Sequence, residues 1–140
     1  MINSISIIIP CYNEEKTIQE AIDLVNNYLN AMEDRDFKIA KSYLHKNFKL
    51  VFPGDRVFLN IEDLTKWAKL RYRWVKKNYE HFDPLSSDDN IIVYCYGTLY
   101  GEWLDKTKFS GVRFIDRFIL KDQKILNQMV WNDMAVYIKA

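Results

Sequence analysis

The spacing of apolar positions changes about halfway along the chain, and that change divides the sequence into a helical first part and an extended second part. Ile18, Ala21, Ile22, Val25, Leu29 and Met32 recur at intervals of three and four, which places them on one stripe of a helix. Asn13 is suited to cap its start, with Glu14 and Glu15 in the first turn where negative charge meets the positive helix end. The spacing therefore predicts a helix from about Asn13 to Glu33. Ahead of it, the β-branched run Ile5–Ile9 reads as a short strand that Pro10 stops. Asp34 and Asp36 interrupt the stripe and can cap a second, shorter helix with Phe37, Ala40, Tyr43 and Leu44 on one side.

Phe48, Leu50 and Phe52 then alternate with Lys49 and Val51 up to the turn Pro53-Gly54-Asp55, and Val57, Phe58 and Leu59 resume extended structure. Asn60 with Asp63 resembles a cap for a third helix carrying Leu64, Trp67, Ala68, Trp74 and Val75. From Tyr79 on the helical period is lost. Alternating runs span Tyr79 to Leu85, Ile91 to Trp103, and Phe109 to Ile138 with a turn near Lys121-Asp122-Gln123. Gly97, Gly101 and Gly111 fall inside these runs, where glycine marks bulges or bends. Helices first and a curling antiparallel sheet second describe one α+β domain over residues 1–140, with 1–13 as an extension.

Composition narrows the partners. With 49% hydrophobic and 15% aromatic residues the chain has material for a core, and its twenty basic against nineteen acidic residues provide no broad field for nucleic acid or an anionic membrane. Cys11 and Cys95 are far apart and outside any Cys/His cluster, so neither a disulfide framework nor a metal site is expected and reduced thiols in the cytoplasm are. No apolar run approaches the length of a membrane span. Histidine spacing suits no transition metal, and no nucleotide-binding glycine loop or serine elbow is present, so no cofactor is expected.

Two stretches resemble known families. Ser4-Ile5-Ser6-Ile7-Ile8-Ile9-Pro10-Cys11-Tyr12-Asn13-Glu14-Glu15 is similar to the opening strand and helix of family 2 glycosyltransferases. The acidic motifs that should follow it are missing, so a truncated sugar-nucleotide binder is only a remote alternative. The segments Tyr28 to Phe37, Tyr43 to Gly54, Phe114 to Ile125 and Trp131-Asn132-Asp133 together resemble the nuclear transport factor 2-like superfamily, particularly its SnoaL-like and ketosteroid-isomerase-like branch. That resemblance implies a cystatin-like roll: a cone-shaped, curved antiparallel sheet packed around N-terminal helices, open at one end and usually dimeric through the sheet. It also implies a domain that binds a small apolar or aromatic molecule, with isomerase, cyclase and dehydratase activities among its members.

Within that frame the strand Val112 to Leu120 presents Val112, Phe114, Asp116, Phe118 and Leu120 on one face. A carboxylate among apolar neighbours, if that face lines the cone, would be shifted toward neutrality and suited to acid–base work on carbon; pairing with a nearby arginine is the plainer reading. Asp133 is a second candidate, sharing a face with Ile125, Met129 and Trp131, and otherwise a strand-end residue in water. His81 is a third, as a proton shuttle or an ordinary surface histidine. Tyr28, Phe52, Trp67, Phe114, Phe118, Met129 and Trp131 are the candidate ligand contacts. Asn127-Gln128-Met129-Val130 holds no ionisable group where such strands often carry one.

Tyr94, Tyr96 and Tyr100 alternate with smaller residues and are expected on the outer sheet face, as a dimer surface. Lys66, Lys69, Arg73, Lys76 and Lys77 read as a basic, solvated stripe on the third helix. These features favour a cofactor-independent acid–base enzyme, or one that has lost catalysis, over a non-catalytic dimeric interaction module.

Overall fold

Helix-forming and strand-forming segments sort as the two spacings require, with corrections at both ends of the chain and at the ends of the second and third helices. A computed structural model describes residues 2–138, with side-chain surroundings from Glu15 onward. The elements are α1 (Ile2–Glu33), α2 (Phe37–Ser42), β1 (Leu44–Phe52), β2 (Arg56–Phe58), α3 (Ile61–Lys69), β3 (Tyr72–Ser87), β4 (Asn90–Trp103), β5 (Lys108–Lys121), β6 (Lys124–Asn132) and α4 (Met134–Tyr137).

The six strands form one sheet in the order β2-β1-β6-β5-β4-β3. Every pairing is antiparallel except β1 with β6, which is parallel. Helix α1 lies in the concavity, burying Ala21, Val25, Tyr28 and Leu29 against Val93, Cys95, Phe118 and Ile125 of the sheet. Its end is tied to the edge strand, because the Glu33 carboxylate accepts the backbone N–H of Lys77 at 3.0 Å. The short helices start at their expected caps. Asp36 accepts from the backbone of Ile39, and Asn60 from that of Asp63, satisfying donors that a first turn leaves free.

Four expectations are overturned. The run Ile5–Ile9 is helical and α1 passes through Asn13 without a break; as a strand it would need a neighbour to pair its backbone, whereas a helix pairs its own. Trp74 and Val75 belong to β3, where their partners are Glu102 and Gly101 of β4, because α3 ends at Lys69 with Leu70 as its cap. The last strand stops at Asn132 and the chain turns into α4. Tyr43 and Leu44 likewise fall just past α2, the first as its cap and the second as the start of β1.

The glycines mark irregularities as expected. Opposite Gly97, β3 carries an extra residue, since Tyr79 pairs with Gly97 and His81 with Tyr96. A Cβ on Gly97 would lie 1.9 Å from the carbonyl oxygen of Asn78, so only glycine lets the strands approach there. Gly111, at φ +72°, sits in the β5 irregularity between the pairs Leu99–Val112 and Gly101–Phe109.

Candidate functional site

One buried polar cluster interrupts the apolar interior. On β5 the face Val112, Phe114, Asp116, Phe118 and Leu120 points inward throughout, and the Asp116 side chain is 0% exposed. Its Oδ2 receives the ammonium of Lys77 from β3 in a close ion pair, and the Gln128 amide of β6 donates to the same oxygen at 3.4 Å. The Tyr28 hydroxyl of α1 donates in turn to Gln128 Oε1 at 3.5 Å. Asp116 Oδ1 has no hydrogen-bond partner among the described residues, and neither does the buried hydroxyl of Tyr79.

Electrostatics follow from this burial. Desolvation opposes the charged form of Lys77, but the adjacent Asp116 charge, with Cys95 and Glu33 behind it, outweighs it and leaves the lysine above its ordinary pKa. Burial and then the Asp116 charge push the Cys95 thiol up to about 12. Burial raises the Tyr28 and Tyr79 phenols as well, with Asp116 adding to the first and Glu33, Cys95 and Asp116 to the second. A fixed ion pair thus stands among neutral groups.

Two adjoining cavities reach this cluster, of about 180 Å³ and about 280 Å³. Phe52, Tyr72, Val75, Lys77 and Gln128 form the wall they share. Asp116, Phe114 and Leu99 line the larger one, whose rim is Arg56, Trp67 and Arg71; Tyr28, Glu33 and Arg35 line the smaller. A wider groove of about 750 Å³ flanks the earlier turns of α1, but none of its ionisable side chains is buried. Among the described residues no group of three or more His, Cys, Asp or Glu side chains is placed to hold a metal ion.

Of the candidate contacts, Tyr28, Phe52, Trp67 and Phe114 line these cavities. Phe118 is fully buried beneath them, edge-on to Tyr28 at 6.3 Å. Met129 and Trp131 are on the other face, Trp131 being 45% exposed. The cause is a bulge in β6: Leu120 pairs with Ile125 and Ile119 with Asn127, so the extra residue Leu126 inverts the facing and turns Gln128 and Val130 inward instead. Asp133 lies beyond that strand at the cap position before α4 and pairs with Arg113 at 2.7 Å. The extra residue in β3 turns His81 outward, where it pairs with Asp83 at 2.9 Å and packs near Tyr96. Neither Asp133 nor His81 lines either cavity.

Lys77, Gln128 and Tyr79 were not singled out as site residues by pattern. The helical pattern puts Lys77 on a solvated stripe, yet with α3 ending at Lys69 the alternation Val75, Lys77, Tyr79 places it inward on β3. A lysine between two apolar residues at strand spacing was the available signal.

No family model and no curated protein matches the chain. Its backbone is similar to several crystal structures. A nuclear transport factor 2-like protein of unknown function from Burkholderia pseudomallei superposes with a TM-score of 0.70 at 13% identity, over 86% of this chain and 98% of that one. A protein described as a SnoaL-like polyketide cyclase from Jannaschia sp. gives 0.64 at 14% identity, over 85% and 89%. TerC, co-crystallised with polyporic acid, gives 0.69 at 17% identity, over 84% and 95%. The likeness is one of fold: the chain has the nuclear transport factor 2-like cone.

Proposed function

We propose that the protein binds a small, largely apolar organic molecule against the Lys77–Asp116 pair and transfers protons at carbon without a cofactor. One observation carries this reading: a fully buried carboxylate that has one oxygen held by an ammonium and the other without a partner among the described residues, at the wall of an aromatic-lined cavity. Asp116 Oδ1 takes the proton from a carbon beside a carbonyl, and the C–H electron pair passes into the enolate. The negative charge that develops on oxygen is stabilised by Lys77. Return of that proton from Asp116 to another carbon gives isomerisation; attack of the enolate carbon on a second carbonyl, with the proton passing to the new alkoxide, gives cyclisation; expulsion of a β-hydroxyl that takes the proton and leaves as water gives dehydration. Support comes from neighbours of the same fold, one described as a polyketide cyclase and one crystallised with polyporic acid.

The test uses 2-tetralone, a flat, apolar ketone with exchangeable hydrogens beside its carbonyl. Deuterium uptake in heavy water, followed by proton NMR, should run faster with protein than with buffer, and Asp116→Asn should remove about 100-fold or more of that acceleration. Uptake at the buffer rate, or an unchanged rate in the variant, contradicts the proposal.

We also propose that the protein is a homodimer through its outer sheet face. Tyr94, Tyr96 and Tyr100 are half-buried opposite the inward Val93, Cys95, Gly97 and Leu99. Tyr96, Ile115 and Trp131 are aligned across β4, β5 and β6, with Ile115 38% and Trp131 45% exposed. Such a row suits the centre of an interface. Sedimentation velocity should give twice the chain mass, and Ile115→Lys with Trp131→Lys should give the monomer; a monomeric wild type refutes this. The free, buried thiol of Cys95 fits a reducing compartment such as the cytoplasm, and no helix among the described residues is long and apolar enough to cross a membrane.

A further inference from the structure

The cavity lining is biased in charge. Apart from the Lys77–Asp116 pair and Glu33, which accepts a backbone N–H, the ionisable cations there are Arg35, Arg56, Arg71 and Lys76, and no further carboxylate is present. The chain as a whole carries only +1. Outside the cavities, Arg73 is neutralised by Glu102 at 2.9 Å and Arg113 by Asp133 at 2.7 Å, while Arg117 has no carboxylate within ion-pair distance among the described residues. Arg35, Arg56 and Arg71 have no carboxylate within ion-pair distance among the described residues.

Two of these cations are held in place. The guanidinium of Arg71 lies 4.6 Å from the centroid of the Trp67 ring and that of Arg56 lies 5.6 Å from it. Trp67 itself packs against Phe52 at 5.1 Å and Phe58 at 5.5 Å. A guanidinium resting on an aromatic face keeps its planar fork of N–H donors free for a carboxylate or another oxygen anion. Because Trp67 is fixed by its neighbours, little side-chain freedom is lost when an anion arrives. Inward of this rim the walls are apolar, through Val75, Leu99, Phe114 and Val130.

We infer that the molecule taken up is an aromatic anion, its ring between the apolar walls and its ionised oxygen group on the Arg56–Trp67–Arg71 rim. This rests on the cavity being a small-molecule site, and it adds a charge requirement to that site. The anion stays at the rim because the Asp116 carboxylate paired with Lys77 repels a second negative charge. Neutral molecules of the same shape enter less well, since they leave the rim arginines unanswered.

A matched pair of probes separates the two claims. Calorimetric titration with 2-naphthoate and with 2-naphthamide should show the acid bound about tenfold more tightly, which is about 1.4 kcal/mol. In the Arg56→Gln/Arg71→Gln protein the acid should fall to the level of the amide while the amide is unchanged. High salt should weaken the acid alone. Arg73→Gln, outside the cavity, should leave the preference intact and serves as the control for nonspecific charge. Equal binding of acid and amide, or a preference that survives the double substitution, overturns the anion requirement and leaves the cavity reading standing. If neither probe binds, the cavity reading fails and the anion requirement fails with it.

Discussion

Removing the ammonium of Lys77 is the sharpest perturbation available, because Asp116 cannot turn to water. The Asp116 side chain is 0% exposed and that of Lys77 19%. In Lys77→Met the carboxylate would keep only the Gln128 amide at 3.4 Å, with Oδ1 still unpartnered. Breaking a buried pair from one side costs about 3–5 kcal/mol. At this chain length that lowers the melting temperature by roughly 10–15 °C. Asp116→Leu alone should cost less, since the partly exposed lysine can withdraw its flexible stem toward the cavity mouth. In Lys77→Met/Asp116→Leu no charge is left buried, and the double variant should lie within about 1.5 kcal/mol of wild type. Urea unfolding followed by circular dichroism, with m-values compared to check that all four proteins unfold alike, measures the cycle. A cost below about 1 kcal/mol for Lys77→Met, or single costs that simply add in the double variant, would falsify the account of a desolvated, coupled pair.

Three further outcomes follow from the geometry. Gly97→Ala sets a methyl carbon against the backbone of Asn78, which cannot move without opening the β3–β4 ladder; a loss of about 1–3 kcal/mol in urea unfolding is expected, and a neutral result contradicts the close approach. With its pKa pushed up to about 12 by burial, Cys95 in a Cys11→Ser background should react with iodoacetamide about a thousandfold more slowly than a free thiol at mildly alkaline pH; labelling of the folded protein at the free-thiol rate rules that out. Stability should fall as pH rises above about 10: Lys77, Tyr28 and Tyr79 all lose their protons later in the folded state than unfolded, so the native protein holds more protons there and the unfolded state gains with pH. A melting temperature that rises through that range inverts the assigned directions.

How far the site could be read from sequence depended on where strands are regular. Asp116 was legible because β5 alternates without interruption from Val112 to Leu120, so counting by twos located the buried carboxylate and its aromatic neighbours. The ion pair was not. Trp67, Ala68, Trp74 and Val75 fit a helical stripe as well as a helix followed by a strand, and only the end of α3 at Lys69 decides which face Lys77 takes. The same ambiguity arose at the N-terminus, where isoleucines that favour strands lie in α1; β-propensity needs a partner strand to act upon.

The remaining differences reduce to two extra residues. Glu80 in β3 sends His81 to the outer face, and Leu126 in β6 sends Met129 and Trp131 outward and Gln128 inward. The first bulge is marked in the sequence, because the strand opposite must offer a residue without Cβ, and Gly97 is there. The second has no such mark: Leu126 is the extra residue between the pairs Ile119–Asn127 and Leu120–Ile125, and no glycine stands opposite it. A bulge that needs no special residue leaves no trace in composition or period, yet it exchanges every side chain beyond it between core and surface. That is why a reading by alternation places Trp131 in the cavity, whereas the backbone leaves it exposed beside Ile115 and turns Val130 and Gln128 inward, the latter joining Tyr28 to Asp116.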